Sequence, residues 1–233
     1  MAKDINNVCK QLLDKGNLKN SIYNETFNSL KLIKTAALDF TNHYQQNFGG
    51  DNENVRVHFT DRNSFECQLK FGGDILIFLM HSNVFEFSRN HEVMKTTYIK
   101  EDKTRSYCGM IYIYNFLADS YKYQRVNDIG YLIGRLLINK EGKYYSEGKR
   151  EIAQILNNFS SNTFNYEAAK EILLSAVLYT INFDLLVPDY KNNILMTVQE
   201  MMQIENQNMI LKTGKRLGFR FEPDNLLKGE MSE

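Results

Sequence analysis

Metal coordination needs histidine, cysteine or carboxylate side chains at tight spacing, such as two histidines one helical turn apart. This 233-residue sequence contains no such pair of histidines. Its histidines and cysteines that fall in or beside predicted strands are far apart along the chain: His58, Cys67, His81, His91 and Cys108. We therefore predict neither a metal site nor a cofactor.

Nucleophilic catalysis needs a thiol or hydroxyl beside a base that a third group orients. The chain has no G-x-S-x-G sequence and no known motif around any of its cysteines. Asp74 and His81 stand at opposite ends of one predicted strand, about 20 Å apart at the usual rise per residue. Because that separation prevents a joint role, the sequence identifies no catalytic pair. An enzyme whose site assembles only in three dimensions stays an alternative.

Two glycines in the run DIGYLIGR, Gly130 and Gly134, are four residues apart. Phosphate-binding loops place their glycines directly before a helix, whereas the local pattern here predicts a strand. In a strand this spacing puts both glycines on one face, where a helix, a backbone or a ligand can come close. We expect a packing role, and a floor beneath a bound ligand is the alternative.

Tyrosine is concentrated in one segment of the chain. Eight of the fourteen tyrosines lie between Tyr107 and Tyr145. Each combines a large apolar ring with a hydroxyl that needs a hydrogen-bond partner, so tyrosines suit half-exposed sheet faces and pocket walls. The residues that we select as candidates for binding a ligand or partner are Tyr112, Tyr114, Tyr131, Arg135 and Tyr144.

Single-stranded nucleic acid is one ligand that an aromatic sheet can bind, because bases stack on exposed rings. Basic residues surround the tyrosine-rich segment and support this interpretation. Against it, the sequence has no RRM signature, and 28 basic and 28 acidic residues give a formal net charge of zero. Nucleic-acid binding is therefore the second hypothesis.

The elements that position these candidate residues can also be predicted from the sequence. In the first 50 residues the spacing of apolar residues predicts a pair of helices. The first contains Ile5 and ends at Gly16, and the second covers about residues 21–47. The apolar stripe of the second helix could form the seam of a homodimer, but we expect it to pack onto the protein's own sheet. The stripe consists of Tyr23, Phe27, Leu30, Ile33, Ala37, Phe40 and Tyr44.

From about residue 54 to residue 147 the hydrophobic period is two, which predicts strands. Short turns separate them, so we expect a mainly antiparallel sheet of about six to eight strands. The predicted strands cover residues 55–60, 64–71, 75–81, 84–87, 96–100, 106–116, 129–139 and 143–146. Residues 118–123 are ambiguous between helix and strand.

Helical spacing returns after residue 148. It predicts a short helix around Ile152, a second helix capped by Asn165, and a last helix over about residues 193–212. Residues 223–233 read as a loose tail. Helices, then strands, then helices indicate the α+β class, with a C-terminal helical layer over one face of the sheet. We predict one domain for residues 1–233, with helical segments 1–50 and 148–222 around the sheet.

Composition limits the function. The N-terminus does not resemble a secretory signal, and the longest apolar run is far shorter than the roughly 20 residues of a membrane helix. Three widely spaced cysteines favour reduced thiols and a cytoplasmic protein. We predict a binding or regulatory module that acts through a protein partner or a small apolar ligand, away from membranes.

Overall fold

The computed structural model of the protein describes residues 4–49, 55–149, 152 and 159–184. In these residues a long helix precedes a six-stranded antiparallel sheet, and a further helix follows it. The predicted α+β class with an antiparallel sheet is confirmed. Most of the predicted helix around residue 152, the helix over residues 193–212 and the tail after residue 223 lie outside the described residues.

The prediction of two N-terminal helices is wrong, because a single helix, α1, runs without a break over Ile5–Phe48. The Asp4 side chain caps its start by accepting a hydrogen bond of 3.1 Å from the Asn6 N–H. Gly16 lies inside the helix, where an interior glycine costs only about 1 kcal/mol relative to alanine. The helix-forming residues on both sides outweigh that cost.

The apolar stripe in the second half of α1 packs onto the protein's own sheet, as predicted. Leu30, Ile33 and Ala37 are fully buried in the main core. They meet apolar side chains from one face of the sheet, including Leu69 and Phe78. This burial is what holds α1 against the sheet, since hydrophobic area removed from water is the main stabilising contribution in folding.

The sheet is a meander in which every strand pairs with its neighbours in sequence. Its antiparallel strands are β1 (Val57–Asn63), β2 (Glu66–Phe71), β3 (Asp74–Glu86), β4 (Tyr107–Leu117), β5 (Tyr131–Asn139) and β6 (Tyr144–Gly148). Strands β3 and β4 occupy the middle, so the tyrosine-rich segment begins in the centre of the sheet.

Three predictions for the segments between these strands need correction or completion. Residues 84–87 are not a separate strand, because β3 continues through the predicted turn with a register shift between His81 and Phe85. Residues 96–100 form helix α2 (Thr97–Glu101) instead of a strand, since the Thr96 hydroxyl accepts a hydrogen bond from the Ile99 N–H and caps it. The ambiguous segment forms helix α3 (Ala118–Lys122).

Helix α4 (Tyr166–Ile181) lies beside α1 on the same face of the sheet. Asn165 caps it as predicted, with the Ala168 N–H donating to the Asn165 side chain over 2.9 Å. The Tyr166 hydroxyl donates to Asp39 of α1 over 2.6 Å and joins the two helices. None of the helices in the described part of the chain is long and apolar enough to cross a membrane.

The opposite face of the sheet is covered only at its two ends in the described structure. Residues 87–106, which include α2, pack over one end in a cluster with Cys108, Met110 and Tyr145. At the other end Ala118 of α3 packs against Ile75 and Ile77. We call this side of the sheet the open face, because α1 and α4 lie on the other side.

Candidate partner-binding face

Six aromatic rings form a continuous row along the open face. Successive ring centroids are 4.9, 6.4, 5.8, 6.3 and 5.5 Å apart. These distances lie within the range over which aromatic rings attract one another. In order, the members of this aromatic row are Phe85, His81, Tyr112, Tyr114, Phe116 and Tyr121.

The alternation of strand β4 explains the centre of the aromatic row. Tyr112, Tyr114 and Phe116 are two residues apart, so their side chains leave the same side of the strand. The odd-numbered positions of β4 point to α1 and α4, where Ile111 and Ile113 belong to the main core. One strand therefore supplies both the core and the aromatic row.

The aromatic row packs beside buried apolar residues of the same sheet face, but part of it is exposed to solvent. Ile77 pairs with Tyr114 across β3 and β4 and is only 6% exposed. Tyr112 and Tyr114 are half-buried, whereas Tyr121 is 40% exposed. Leu132 of β5, the neighbour of Tyr114 on the other side, is 42% exposed. The open face thus offers ring edges and apolar side chains together.

Arg135 borders the aromatic row and is fixed by an ion pair. It is the cross-strand partner of Tyr112, and its guanidinium is hydrogen-bonded to Glu147 of β6. The second carboxylate oxygen of Glu147 is 3.3 Å from Nε2 of His91. Since the Val93 N–H donates to Nδ1 of His91, we assign the ring proton to Nε2, which donates to Glu147.

The five residues selected from the sequence do not lie together. Tyr112, Tyr114 and Arg135 share the open face. Tyr131 and Tyr144 lie on the face that α1 and α4 cover, where their rings are 5.2 to 5.5 Å from those of phenylalanines near α4. Tyr144 is only 5% exposed, and burial raises the pKa of its hydroxyl. The prediction treated all five as one group because a sequence does not show which strand residues share a side across a register shift.

Gly130 and Gly134 lie on opposite faces of the sheet, contrary to the prediction that they share a face. A Cβ on Gly130 would overlap the ring of Phe116 in the aromatic row. A Cβ on Gly134 would meet Ile152 at 3.0 Å, on the side of the main core. Gly130 precedes β5 and Ile133 has no partner in the β4 register, so the alternation is interrupted. Both glycines serve packing.

The groups considered for catalysis or for metal binding occupy separate places. Asp74 accepts a hydrogen bond of 3.1 Å from Asn115. His81, a member of the aromatic row, accepts one of 3.0 Å from the Asn83 N–H. His91 is bonded to Glu147 instead. Among the described residues no three histidine, cysteine, aspartate or glutamate side chains are grouped as metal ligands would be.

The buried thiols are poorly suited to nucleophilic chemistry. Cys67 and Cys108 are 0% and 1% exposed. Burial raises the pKa of Cys67 to about 12 and raises that of Cys108 as well. A thiol must ionise to act as a nucleophile, so both side chains act as small apolar core residues near neutral pH.

Sequence reasoning missed part of this surface. Phe116 could have been included, because it has the same parity as Tyr112 and Tyr114 in one strand. Phe85 could not, since it joins the row only through the irregular register of β3. The contact between His91 and Glu147 joins residues 56 positions apart and has no local signal.

Comparison of the chain with protein-family models, with curated proteins and with solved structures finds no match.

Proposed function

We propose that this protein is a binding or regulatory module that recognises a protein partner through the aromatic row and Arg135. The observation that carries the proposal is the unbroken row of six rings on the face that α1 and α4 leave open. Tyrosine and arginine are enriched among the residues that dominate binding energy at protein interfaces. Arg135 is already oriented by Glu147, which lowers the entropy lost when a partner binds.

A protein partner suits the electrostatics better than nucleic acid does. The formal net charge of the chain is zero, so the whole molecule has no long-range attraction for phosphate groups. The charge of Arg135 is balanced by Glu147. Aromatic rings with compensated charges are typical of the centre of a protein interface, where desolvation of an unpaired charge would be costly.

The experiment is affinity capture from an extract of the cells that make the protein, followed by binding measurements with the purified partner. We expect the double variant Tyr112→Ser, Tyr114→Ser to lower affinity by more than about tenfold, because two half-buried rings are lost. Tyr123→Ser is the matched control, since Tyr123 is a half-buried tyrosine outside the aromatic row. Circular dichroism verifies that each variant folds.

Labelled single-stranded RNA and DNA, tested at low salt with the same three proteins, provide the contrary outcome. If RNA or DNA binds wild type, and this binding falls steeply with salt and is lost in the double variant, the ligand of the aromatic row is nucleic acid and not a protein. A partner that binds wild type and the double variant equally would remove the aromatic row from recognition altogether.

A second candidate function, binding of a small apolar ligand, is favoured by a groove between α1 and α4. Its volume is about 440 Å³, within the range of ligand pockets. Apolar side chains form much of its wall, including Phe40, Leu173 and Leu174. The Tyr166 hydroxyl and Asp39 supply polar groups at the same groove.

Fluorescence of anilinonaphthalene sulfonate tests this second candidate. We expect the dye to bind wild type with one saturable site and to lose affinity in Leu174→Glu, which places a charge in the groove that repels the sulfonate. Leu178→Glu is the control, because Leu178 is an exposed residue of the same helix one turn further on. Equal dye binding by both variants would exclude the groove as the site.

A further inference from the structure

The first turns of α1 carry an apolar stripe that nothing in the described structure covers. Residues 5–17 are all exposed, and we call residues 5–15 the N-terminal arm. Its large apolar side chains are exposed by 74%, 52%, 73% and 63% at Ile5, Val8, Leu12 and Leu13. Their spacing of three and four residues places them on one side of the helix, together with Cys9.

This stripe differs from scattered apolar residues on a protein surface. Contiguous exposed apolar patches on a folded protein mark interaction sites. The N-terminal arm is helical throughout, and its Lys15 ammonium lies 3.4 Å from the centre of the Tyr107 ring of β4. A partner helix would supply the missing packing.

The pattern of side chains is that of a self-complementary surface. A two-fold contact requires each residue to meet its counterpart across an axis. An axis between Cys9 and Lys10 would set Ile5 of one copy within one residue of the level of Leu13 of the other and leave the small Cys9 side chains at the centre. Two antiparallel helices could therefore approach closely there.

Two charges, Asp4 just before the arm and Lys15 at its end, fit the same axis. Asp4 and Lys15 are eleven residues apart, about three turns, so they lie on one flank of the stripe. They are also equidistant from the axis between Cys9 and Lys10. Antiparallel pairing would set Asp4 of each copy beside Lys15 of the other. The three N–H donors of a lysine ammonium allow Lys15 to keep its contact with the Tyr107 ring.

We propose that the N-terminal arm is a self-association surface, which pairs antiparallel with the arm of a second copy of this chain. The arm is about 16 Å long. A contact of four large side chains from each copy is at the small end of protein interfaces, below about 1,200 Å² in total. The dimer is therefore weak and dissociates on dilution.

Light scattering coupled to size exclusion tests this proposal on the full chain. We expect the mass of wild type to fall from dimer toward monomer over about a hundredfold dilution, as mass action requires. Leu12→Asp should be monomeric throughout, since it places a charge in the stripe. Lys10→Asp is the control, because Lys10 lies on the polar side of the arm, and it should dimerise as wild type does.

Cys9 gives an independent readout in the unmodified protein. It is the exposed cysteine, whereas Cys67 and Cys108 are buried. Mild oxidation with diamide should join two wild-type chains through Cys9, and Cys9→Ser or Leu12→Asp should abolish that product. For the antiparallel orientation, Lys15→Glu should weaken the dimer, and adding Asp4→Asn should recover part of it, because asparagine still caps the helix but no longer repels the introduced carboxylate.

A wild-type protein that is monomeric at every concentration and gives no Cys9 product would overturn the proposal. So would a dimer that persists in Leu12→Asp, because its contact would lie elsewhere. The first result would also follow if another segment of the same chain or a different protein covered the stripe. If Asp4→Asn recovers no dimer in the Lys15→Glu background, the antiparallel arrangement is overturned.

Discussion

Tyr112 of β4 and Arg135 of β5 are direct cross-strand partners on the open face of the sheet. The pairing places a guanidinium that Glu147 already holds beside the centre of the aromatic row. Their proximity depends on the register of β4 against β5, in which Tyr112 precedes a shift between Ile113 and Tyr114. The residues that we assign to recognition are thus positioned by sheet geometry and by an ion pair, and each can be changed separately.

Removal of the Arg135 guanidinium should affect binding more than stability. The side chains of Arg135 and Glu147 are 41% and 26% exposed, and ion pairs at such positions contribute roughly 0–1 kcal/mol. We expect Arg135→Met to lower the free energy of unfolding by no more than about 1 kcal/mol, measured with urea, while partner affinity falls more than tenfold. A loss of several kcal/mol would instead make Arg135 a structural residue.

Gly130 should be intolerant of a side chain. A Cβ there would overlap the Phe116 ring, so Gly130→Ala must displace part of the aromatic row. We expect a loss of about 1–3 kcal/mol in the free energy of unfolding, which is typical of overpacking. Gly73→Ala is the matched control, because a Cβ at Gly73 would meet no atom within 4 Å. Equal urea midpoints for the two variants would contradict the predicted clash.

Stability should fall in alkaline solution. Burial raises the pKa of Cys67 from 9.0 to about 12, and it raises the pKa of Tyr98 and Tyr145 from 10.0 to about 12. The native state therefore holds these protons more tightly than the unfolded chain does. As pH rises from about 9 to about 12 the unfolded chain loses them first, so the free energy of unfolding decreases over that window.

Urea midpoints measured from neutral pH to about pH 11 test this dependence. Cys67→Val removes one buried thiol with a side chain of similar size and should make the decrease shallower. Thiol titration of the native protein should label Cys9, which is exposed, and should reach Cys67 and Cys108 only after unfolding. Rapid labelling of all three cysteines in the native state would contradict their burial.

Tyr98 should anchor the segment that covers one end of the open face. Its hydroxyl donates to Glu141 over 2.8 Å and accepts from the buried amide of Asn139, also over 2.8 Å. Tyr98→Phe leaves that amide without this partner, so we expect a loss of about 1–3 kcal/mol. Hydrogen exchange should also become faster in residues 92–106.

Tyr166→Phe is the comparison for Tyr98→Phe. It too removes a tyrosine hydroxyl bonded to a carboxylate, but the bond with Asp39 is exposed to water. Water can replace the lost partner there, so the cost should be under about 1 kcal/mol. If both substitutions cost the same, burial of Asn139 does not determine the strength of the Tyr98 contact.

Alternating apolar residues predicted the sheet well, because the side chains of a strand that is covered on one face have a period of two. The same reasoning found the cap at Asn165, where a side-chain acceptor precedes an apolar helix. The same reasoning failed at residues 96–100, where it predicted a strand. β-Branched residues favour strands, but threonine is also a good helix cap, and Thr96 caps α2. Gly16 was read as a helix end, although a single glycine can be carried inside a long helix.

The candidate site was less predictable than the fold. Tyr112 and Tyr114 could be chosen because they recur at the strand period in a tyrosine-rich segment. Tyr131 and Tyr144 belong to the same tyrosine-rich segment, yet they face the main core. Which side of the sheet receives the helices depends on contacts between distant parts of the chain, and no local pattern records them.

The hydrogen bond between Asp39 of α1 and Tyr166 of α4 joins residues 127 positions apart. Protein synthesis proceeds from the N-terminus, so α1 and the whole sheet leave the ribosome before α4 does. A nascent chain that stops before Asn165 lacks α4, which covers the main core beside α1 in the described structure, and it exposes apolar surface to solvent or to chaperones. Ribosome-bound chains of increasing length should therefore become protease-resistant only after α4 has emerged.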